Sequence, residues 1–254
     1  MVRSASGLLG VAALERVVNR TVLPPDSLTA LAQVYREMDD SDSHGEGFGR
    51  SIVGEKLMLL ADFKKDDIQG IAAGVADGTT EEQRQRLTQY LQEPGGLVAE
   101  QHYLESAFQQ LFEAHKEAYP DRLLNAARVR QHITETTSQV RLLNNSWLTG
   151  YTNLVSREAK CLACFRLAMT AVALEQFRAA SGKYPATLNE LTPNYLDAAP
   201  ADPFDGQPLR YRLQGAGYLL YSIGQDLKDD GGKRMHGTEF LGDIVFSVTT
   251  PPSL

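Results

Sequence analysis

Proline is spread unevenly along this chain, and that unevenness limits what each part can fold into. Seven of the 11 prolines (Pro185, Pro193, Pro200, Pro203, Pro208, Pro251 and Pro252) lie beyond residue 182, and only Pro24, Pro25, Pro94 and Pro120 precede it. A helix interior excludes proline, which has no N–H to donate and whose ring clashes with the preceding turn. The first 180 residues are therefore predicted to be helical and the remainder to form short strands and turns. A length of 254 residues suits one large domain or two modest ones. An apolar share of 43% with 22% charged residues describes globular material with enough apolar side chains to bury a core.

The helical part divides at its breakers. Leu8 to Val18 carries apolar residues at helical spacing, and Pro24-Pro25 ends that run. Asp26 is placed to cap Ser27 to Met38, whose Leu28, Leu31, Val34 and Tyr35 form one face. Residues 39–49 (DDSDSHGEGFG) read as a polar loop. Arg50 to Phe63 reads as a helix with Ile52, Val53, Leu57 and Leu60 inward, followed by a short helix over Asp66 to Ala76. Thr80 caps Glu81 to Gln92, with acids in the first turn where the helix dipole favours them. Leu97 to Ala118 and Leu123 to Val140 follow. The last helix, Ser146 to Ala180, is apolar on more than one side and so is expected to be covered on most of them. Gly182 is a left-handed stop for it.

The tail is punctuated by turns. Thr187 to Leu191 reads as a helical turn, and Asp202-Pro203-Phe204-Asp205-Gly206 as a tight turn. Leu209 to Leu213 and Tyr218 to Ile223 alternate across Gly215-Ala216-Gly217 and predict a hairpin. Asp226 to Gly232 is an acidic glycine loop, and Asp243 to Val248 a last strand. The expected fold class is α+β: a helical domain over residues 1–145, then a long helix packed on a small antiparallel sheet over residues 146–254.

Charge and hydropathy narrow the partners. A net charge of -7 argues against a broad nucleic-acid surface, which needs clustered Lys and Arg. No segment supplies the roughly 20 apolar residues of a membrane span. Gly7 to Leu14 is cut short by Glu15 and Arg16, and no small-residue cleavage site follows, so it reads as the start of an amphipathic helix rather than a signal peptide. Two cysteines cannot build a disulfide scaffold.

From Leu167 to Phe246, about a third of the chain, a series of motifs occurs in order: a helix running into SGKYPATLNEL, then TPNYLDAAPADPFDGQPLRY, then GYLLYSIGQD, and finally GDI. In this order they resemble the major pseudopilin of type II secretion. The resemblance implies a long helix on a small antiparallel sheet and a calcium-binding loop between the last strands. It also favours the cell envelope or an extracytoplasmic location. A pseudopilin begins with its hydrophobic helix and a processing site, whereas here the matching helix is internal and follows about 150 residues of other sequence. The chain is therefore not expected to mature as a filament subunit. Its layout resembles bacterial proteins that carry such a module at the C-terminus.

The acidic loop is the leading candidate site. Calcium takes six to eight hard oxygen ligands, including backbone carbonyls from flexible loops. GQDLKDDGG offers Asp226, Asp229 and Asp230 among glycines, and Asp243 returns a carboxylate from the next strand. The resemblance assigns Asp226 and Asp243 as ligands, with Asp230 and the Ile223 carbonyl completing the set. A solvated acidic turn is the alternative, since Lys233, Arg234 and His236 lie in the same loop and can offset its charge.

Other chemistry-bearing residues give weaker signals. Cys161 and Cys164 form one CxxC, half of a zinc site, inside a predicted helix on an apolar face, and read as small buried hydrophobes. His102 with Glu105, and Glu113, His115 and Glu117, read as a solvated helix face. Glu55 reads as a capping or ion-pair residue. No catalytic residue is assigned. The expected function is a noncatalytic structural or protein-interaction role with an unidentified protein partner and a structural calcium ion. Two alternatives stand beside it: a ligand- or peptide-binding groove in the helical domain, and a hydrolase using Glu55, His102 or His115.

Overall fold

The computed structural model describes residues 2–40, 43–63, 68–73, 80–136, 145–233, 242–249 and 251–253. Among them are eight helices: α1 (Val2–Val18), α2 (Pro25–Asp40), α3 (Ser43–Phe63), α4 (Ile68–Ala73), α5 (Glu81–Gln92), α6 (Gly96–Lys116), α7 (Asp121–Thr136) and α8 (Asn145–Ser181). Three strands follow, β1 (Arg210–Gln214), β2 (Gly217–Ser222) and β3 (Ile244–Val248), in one antiparallel sheet of order β1-β2-β3. The fold is α+β. No described helix is long and apolar enough to cross a membrane.

The chain forms two compact units, one of Met1–Ser41 with Ser156–Leu254 and one of Asp42–Val155. This differs from a single cut at 145/146. The N-terminal helices cluster with the sheet because β3 needs partners for its outer edge, and α1 supplies them. Ser247 donates its backbone N–H to Glu15 Oε1 at 2.8 Å. Asn19 donates from Nδ2 to the Ser247 carbonyl at 2.9 Å and accepts from the Thr249 N–H at 3.0 Å. Three outward-facing backbone groups along and just past an edge strand are thus satisfied by Glu15 of α1 and by Asn19 directly after it, which blunts the edge.

In the helical unit, Leu87 and Leu91 of α5 pack with Leu104, Ala107, Phe108 and Leu111 of α6 and with Ile52 and Phe63 of α3. Local chemistry sets the ends of α5. Thr80 accepts from the Gln83 N–H at 3.2 Å while Gln83 accepts from the Thr80 N–H at 2.8 Å, a reciprocal capping box. Two tyrosines tie the start of α8 in: Tyr151 donates to the Leu111 carbonyl and Tyr119 to the Val155 carbonyl, each at 3.1 Å.

Several elements depart from their sequence reading. Of residues 39–49, expected to be a loop, 39–40 end α2 and 43–49 begin α3. Gly49 there is buried, and a Cβ on it would meet the His115 ring at 3.5 Å, so its value is closeness rather than flexibility. The inward face of α3 is Gly49, Ile52, Leu59, Leu60 and Phe63, whereas Val53 and Leu57, expected inside, are exposed. Val34 of α2 is likewise exposed. Helix α2 starts at Pro25, so Asp26 lies in its first turn, and Pro25 takes the position where a missing N–H costs nothing. The short helix is Ile68–Ala73. Residues 66–67 and 74–76 of its expected span, and 137–140 of the expected helix Leu123 to Val140, fall outside the described residues.

In the sheet unit, α8 is buried on nearly every side. Ala159, Ala163, Cys164, Leu167, Ala168, Ala171, Val172 and Leu174 are all buried. The segment after α8 returns along it. Tyr184 donates to Glu175 at 2.7 Å, Arg166 donates to the Ala201 carbonyl at 2.8 Å, and Phe177 meets Tyr195 edge-on. Gly182 ends the helix at φ 78°, donating to the Arg178 carbonyl. One sheet face is aromatic, with Tyr218 stacked on Phe246 and met edge-on by Tyr184.

Candidate functional site

The acidic loop leaves β2 at Ile223 and Gly224 and re-enters β3 at Gly242 and Asp243. It turns through left-handed residues at Gly224, Leu227, Gly231 and Gly232, then Gly242. Two of its carboxylates link its limbs. Asp226 accepts from the Gly242 N–H at 3.1 Å, and Asp243 accepts from the Gly232 N–H at 2.7 Å and the Asp230 N–H at 3.5 Å. Asp226 and Asp243 therefore lie in one loop closure. Burial pushes the Asp243 carboxyl above its usual range; the two N–H donors oppose this, and the charges of Asp229 and Asp230 add to it.

The remaining acids play different parts. Asp229 turns to the sheet, accepting from the Tyr221 hydroxyl at 3.0 Å and the Gly231 N–H at 2.9 Å. Asp230 is exposed, and Ile223 is buried with its N–H given to Asp202. Arg234 and His236 lie outside the described residues. Among the described residues, no three or more His, Cys, Asp or Glu side chains are grouped so as to hold a metal ion. Both oxygens of each closing carboxylate accept backbone N–H groups, from Lys228 and Gly242 at Asp226 and from Asp230 and Gly232 at Asp243.

Beside the loop is a second network that the sequence reading reduced to a turn. Asp202 is fully buried and accepts four hydrogen bonds: from the Phe204 N–H (3.0 Å), the Ser222 hydroxyl (2.9 Å), the Ile223 N–H (2.9 Å) and Arg210 Nη1 (3.2 Å). Arg210 also forks onto Asp205 through both Nη atoms and approaches Asp229 with Nε at 3.8 Å. Burial raises the Asp202 carboxyl, with its hydrogen bonds opposing. The Arg210 hydrogen bonds hold Asp205 below its usual range. The Asp202-Pro203 turn therefore anchors the residue from which the acidic loop departs.

The weaker candidates do not converge. Cys161 and Cys164 are buried. Burial pushes the Cys164 thiol up to about 12 and raises Cys161 as well, so neither is a ready thiolate. His102 is exposed and His115 buried on the same helix, Glu105 accepts from Gln101, and Glu113 pairs with Lys116 at 3.0 Å. Glu100, not singled out from the sequence, is fully buried on α6. It lies on the same stripe as Leu104, Phe108 and Leu111, a signal that was available in the spacing. A cleft of about 480 Å³ between α4 and α5 is lined by Gln69, Glu81, Arg84, Gln85, Gln89 and Gln92, among others. A second, of about 360 Å³, lies along α7. Neither is lined by Glu55, His102 or His115.

Comparison with family models, with curated proteins and with solved structures finds no match to this chain.

Proposed function

We propose that this chain is a noncatalytic structural or protein-interaction protein whose C-terminal unit is a pseudopilin-like module with a calcium-stabilised loop. By the resemblance of its tail motifs, it serves cell-envelope or secretion machinery. The observation that carries the reading is the order of parts around the loop. A long buried helix is followed by a three-stranded antiparallel sheet, and the β2–β3 connection is closed by Asp226 and Asp243 at its two ends. Calcium would be held by these carboxylates with Asp230 and the Ile223 carbonyl, and its role would be to offset the clustered charge and rigidify the loop.

Thermal melts with excess calcium and with chelator test this. The wild-type midpoint should rise with calcium, and the Asp226→Ala/Asp243→Ala variant should not respond. An unmoved wild-type midpoint would remove the metal from the reading. A second reading, a ligand- or peptide-binding helical unit, rests on the polar cleft beside α5, where Arg84 and four glutamines come together.

A further inference from the structure

Helix α5 divides its surface sharply. Leu87 and Leu91 face the core of the helical unit. Positions 81, 84, 85, 88, 89 and 92, all polar, line the cleft of about 480 Å³ that α5 shares with Gln69 and Ala72 of α4. Their spacing of three and four residues makes them one continuous helical face. The cleft wall is therefore a polar stripe along the helix, with Arg84 toward one end and Gln92 at the other.

Arg84 is the cation of that stripe, and among the described residues nothing hydrogen-bonds or ion-pairs with its side chain. Its Nε is buried without a partner. The stem is thus packed down, and the two Nη atoms remain as an unused fork that matches a carboxylate. Glu81, three residues away, accepts from Gln85 Nε2 at 3.4 Å instead of pairing with Arg84. Arg86, off the stripe, shows the contrast: it pairs with Glu82 at 2.6 Å. One cation with Glu81 beside it leaves the cleft no net positive charge, which suits a single carboxylate and not a polyanion. The glutamines suit what is joined to that carboxylate. Each amide carries both a donor and an acceptor, as a peptide group does. Gln85 and Gln89 lie about 6 Å apart along the helix. Same-side backbone groups of an extended chain repeat at about 6.6 Å. Because Arg84 lies near the end of the stripe, with only Glu81 beyond it, a chain laid along the glutamines meets the guanidinium with its terminus.

We propose that the cleft along α5 binds the C-terminal end of an extended peptide, its carboxylate on the Nη fork of Arg84 and its backbone amides on Gln85 and Gln89. This rests on the reading of the helical unit as a peptide binder and not on the calcium loop, so a failed calcium melt leaves it standing.

The test titrates the full ¹⁵N-labelled chain with acetyl-tetraalanine as the free acid, with its C-terminal amide, with an amidated copy carrying one internal glutamate, and with sodium acetate, all at one ionic strength. The free acid should shift the Arg84 Nε–H and the Gln89 side-chain amide saturably, with a Kd about tenfold below that of the amide, as one charge-assisted fork predicts. The Arg86 Nε–H should not move. Arg84→Gln should erase the preference for the acid. Thr88→Glu should erase it too, because it keeps the guanidinium but gives it an internal partner one turn away. Equal Kd for acid and amide overturns the inference, as does acetate or the internal glutamate binding as well as the free acid, or a preference that survives Arg84→Gln. In each of those outcomes a peptide or ligand still binds the unit. No shift on α5 with any of the four overturns the peptide-binding reading as well.

Discussion

Glu15 accepts two hydrogen bonds through one oxygen, from the backbone N–H of Ser247 at 2.8 Å and from its hydroxyl at 3.0 Å. The acceptor sits in the first helix and the donors in the last strand, 232 residues apart. This contact places the N-terminal helices in the same unit as the sheet.

Removing it should loosen the sheet. Hydrogen bonds to charged groups contribute about 1.5–3 kcal/mol, so Glu15→Ala is expected to cost roughly that, and Glu15→Gln less because it keeps an acceptor. Asn19→Ala should add a further loss that is not fully additive, since both residues serve Ser247. Urea denaturation midpoints of the three single variants and of the pair measure this. Equal midpoints for Glu15→Ala and wild type would show that α1 does not hold the edge.

Asp202 should be the most sensitive carboxylate outside the loop. Both of its oxygens accept two hydrogen bonds each, so Asp202→Ala leaves Ser222, Ile223 and Arg210 without it. A loss of about 3–5 kcal/mol is expected, as for breaking a buried ion pair. Asp202→Asn should also destabilise, because either orientation of the amide points its NH₂ at a donor. Chemical denaturation of both variants checks this.

What was legible in the sequence follows the range of the interaction. Thr80 and Gly182 announced helix ends because capping is chemistry between residues a few positions apart. The hairpin was legible because Gly215 at φ 60° followed by Ala216 is a two-residue turn between alternating runs. The α1–β3 contact was not, because an amphipathic helix does not say which edge it covers. The inward face of α3 was misplaced because Val53 and Leu57 are apolar yet outward, while Gly49 packs through its lack of a side chain. Asp202-Pro203 signalled a turn correctly, but its second set of partners lies 20 and 21 residues on. In the loop, both limbs were read from Asp226 and Asp243. That Asp229 serves Tyr221 instead is visible only once β2 is in register.

Asp205 gives a pH-dependent signature. Hydrogen bonds from Arg210 hold its folded carboxyl below the ordinary value of 3.8. Its contribution is therefore present above that value and lost as pH falls through the folded value below it. Asp202 is shifted the opposite way by burial, so a difference measurement is needed. The gap in urea midpoint between wild type and Asp205→Asn should stay constant from neutral pH down to about pH 5 and close below 3.8. A gap that widens in acid contradicts the Arg210 pairing.

The two thiols should be inert in the folded chain. Cys164 is fully buried with its thiol pushed up to about 12, and Cys161 is buried beside it. An aromatic disulfide reagent at pH 8 should label neither in native conditions and both in denaturant. Rapid native labelling would show that this part of α8 is accessible and would reopen a redox or metal role for the pair.

Gly224 and Gly215 separate two costs that left-handed glycines carry. Both have positive φ, 73° and 60°. A Cβ on Gly215 meets nothing within 4 Å, so Gly215→Ala should cost only the left-handed penalty of about 1–2 kcal/mol. A Cβ on Gly224 collides with the Gly242 carbonyl, which is backbone and cannot swing aside. Gly224→Ala must therefore push the limbs of the acidic loop apart, and its loss should exceed that of Gly215→Ala. The same displacement moves Gly242 away from the Asp226 carboxylate that accepts its N–H at 3.1 Å. If the loop binds calcium through Asp226 and Asp243, Gly224→Ala should also reduce the calcium-dependent rise in melting midpoint, and Gly215→Ala should leave it intact. A calcium response that survives Gly224→Ala undiminished would place the ion elsewhere.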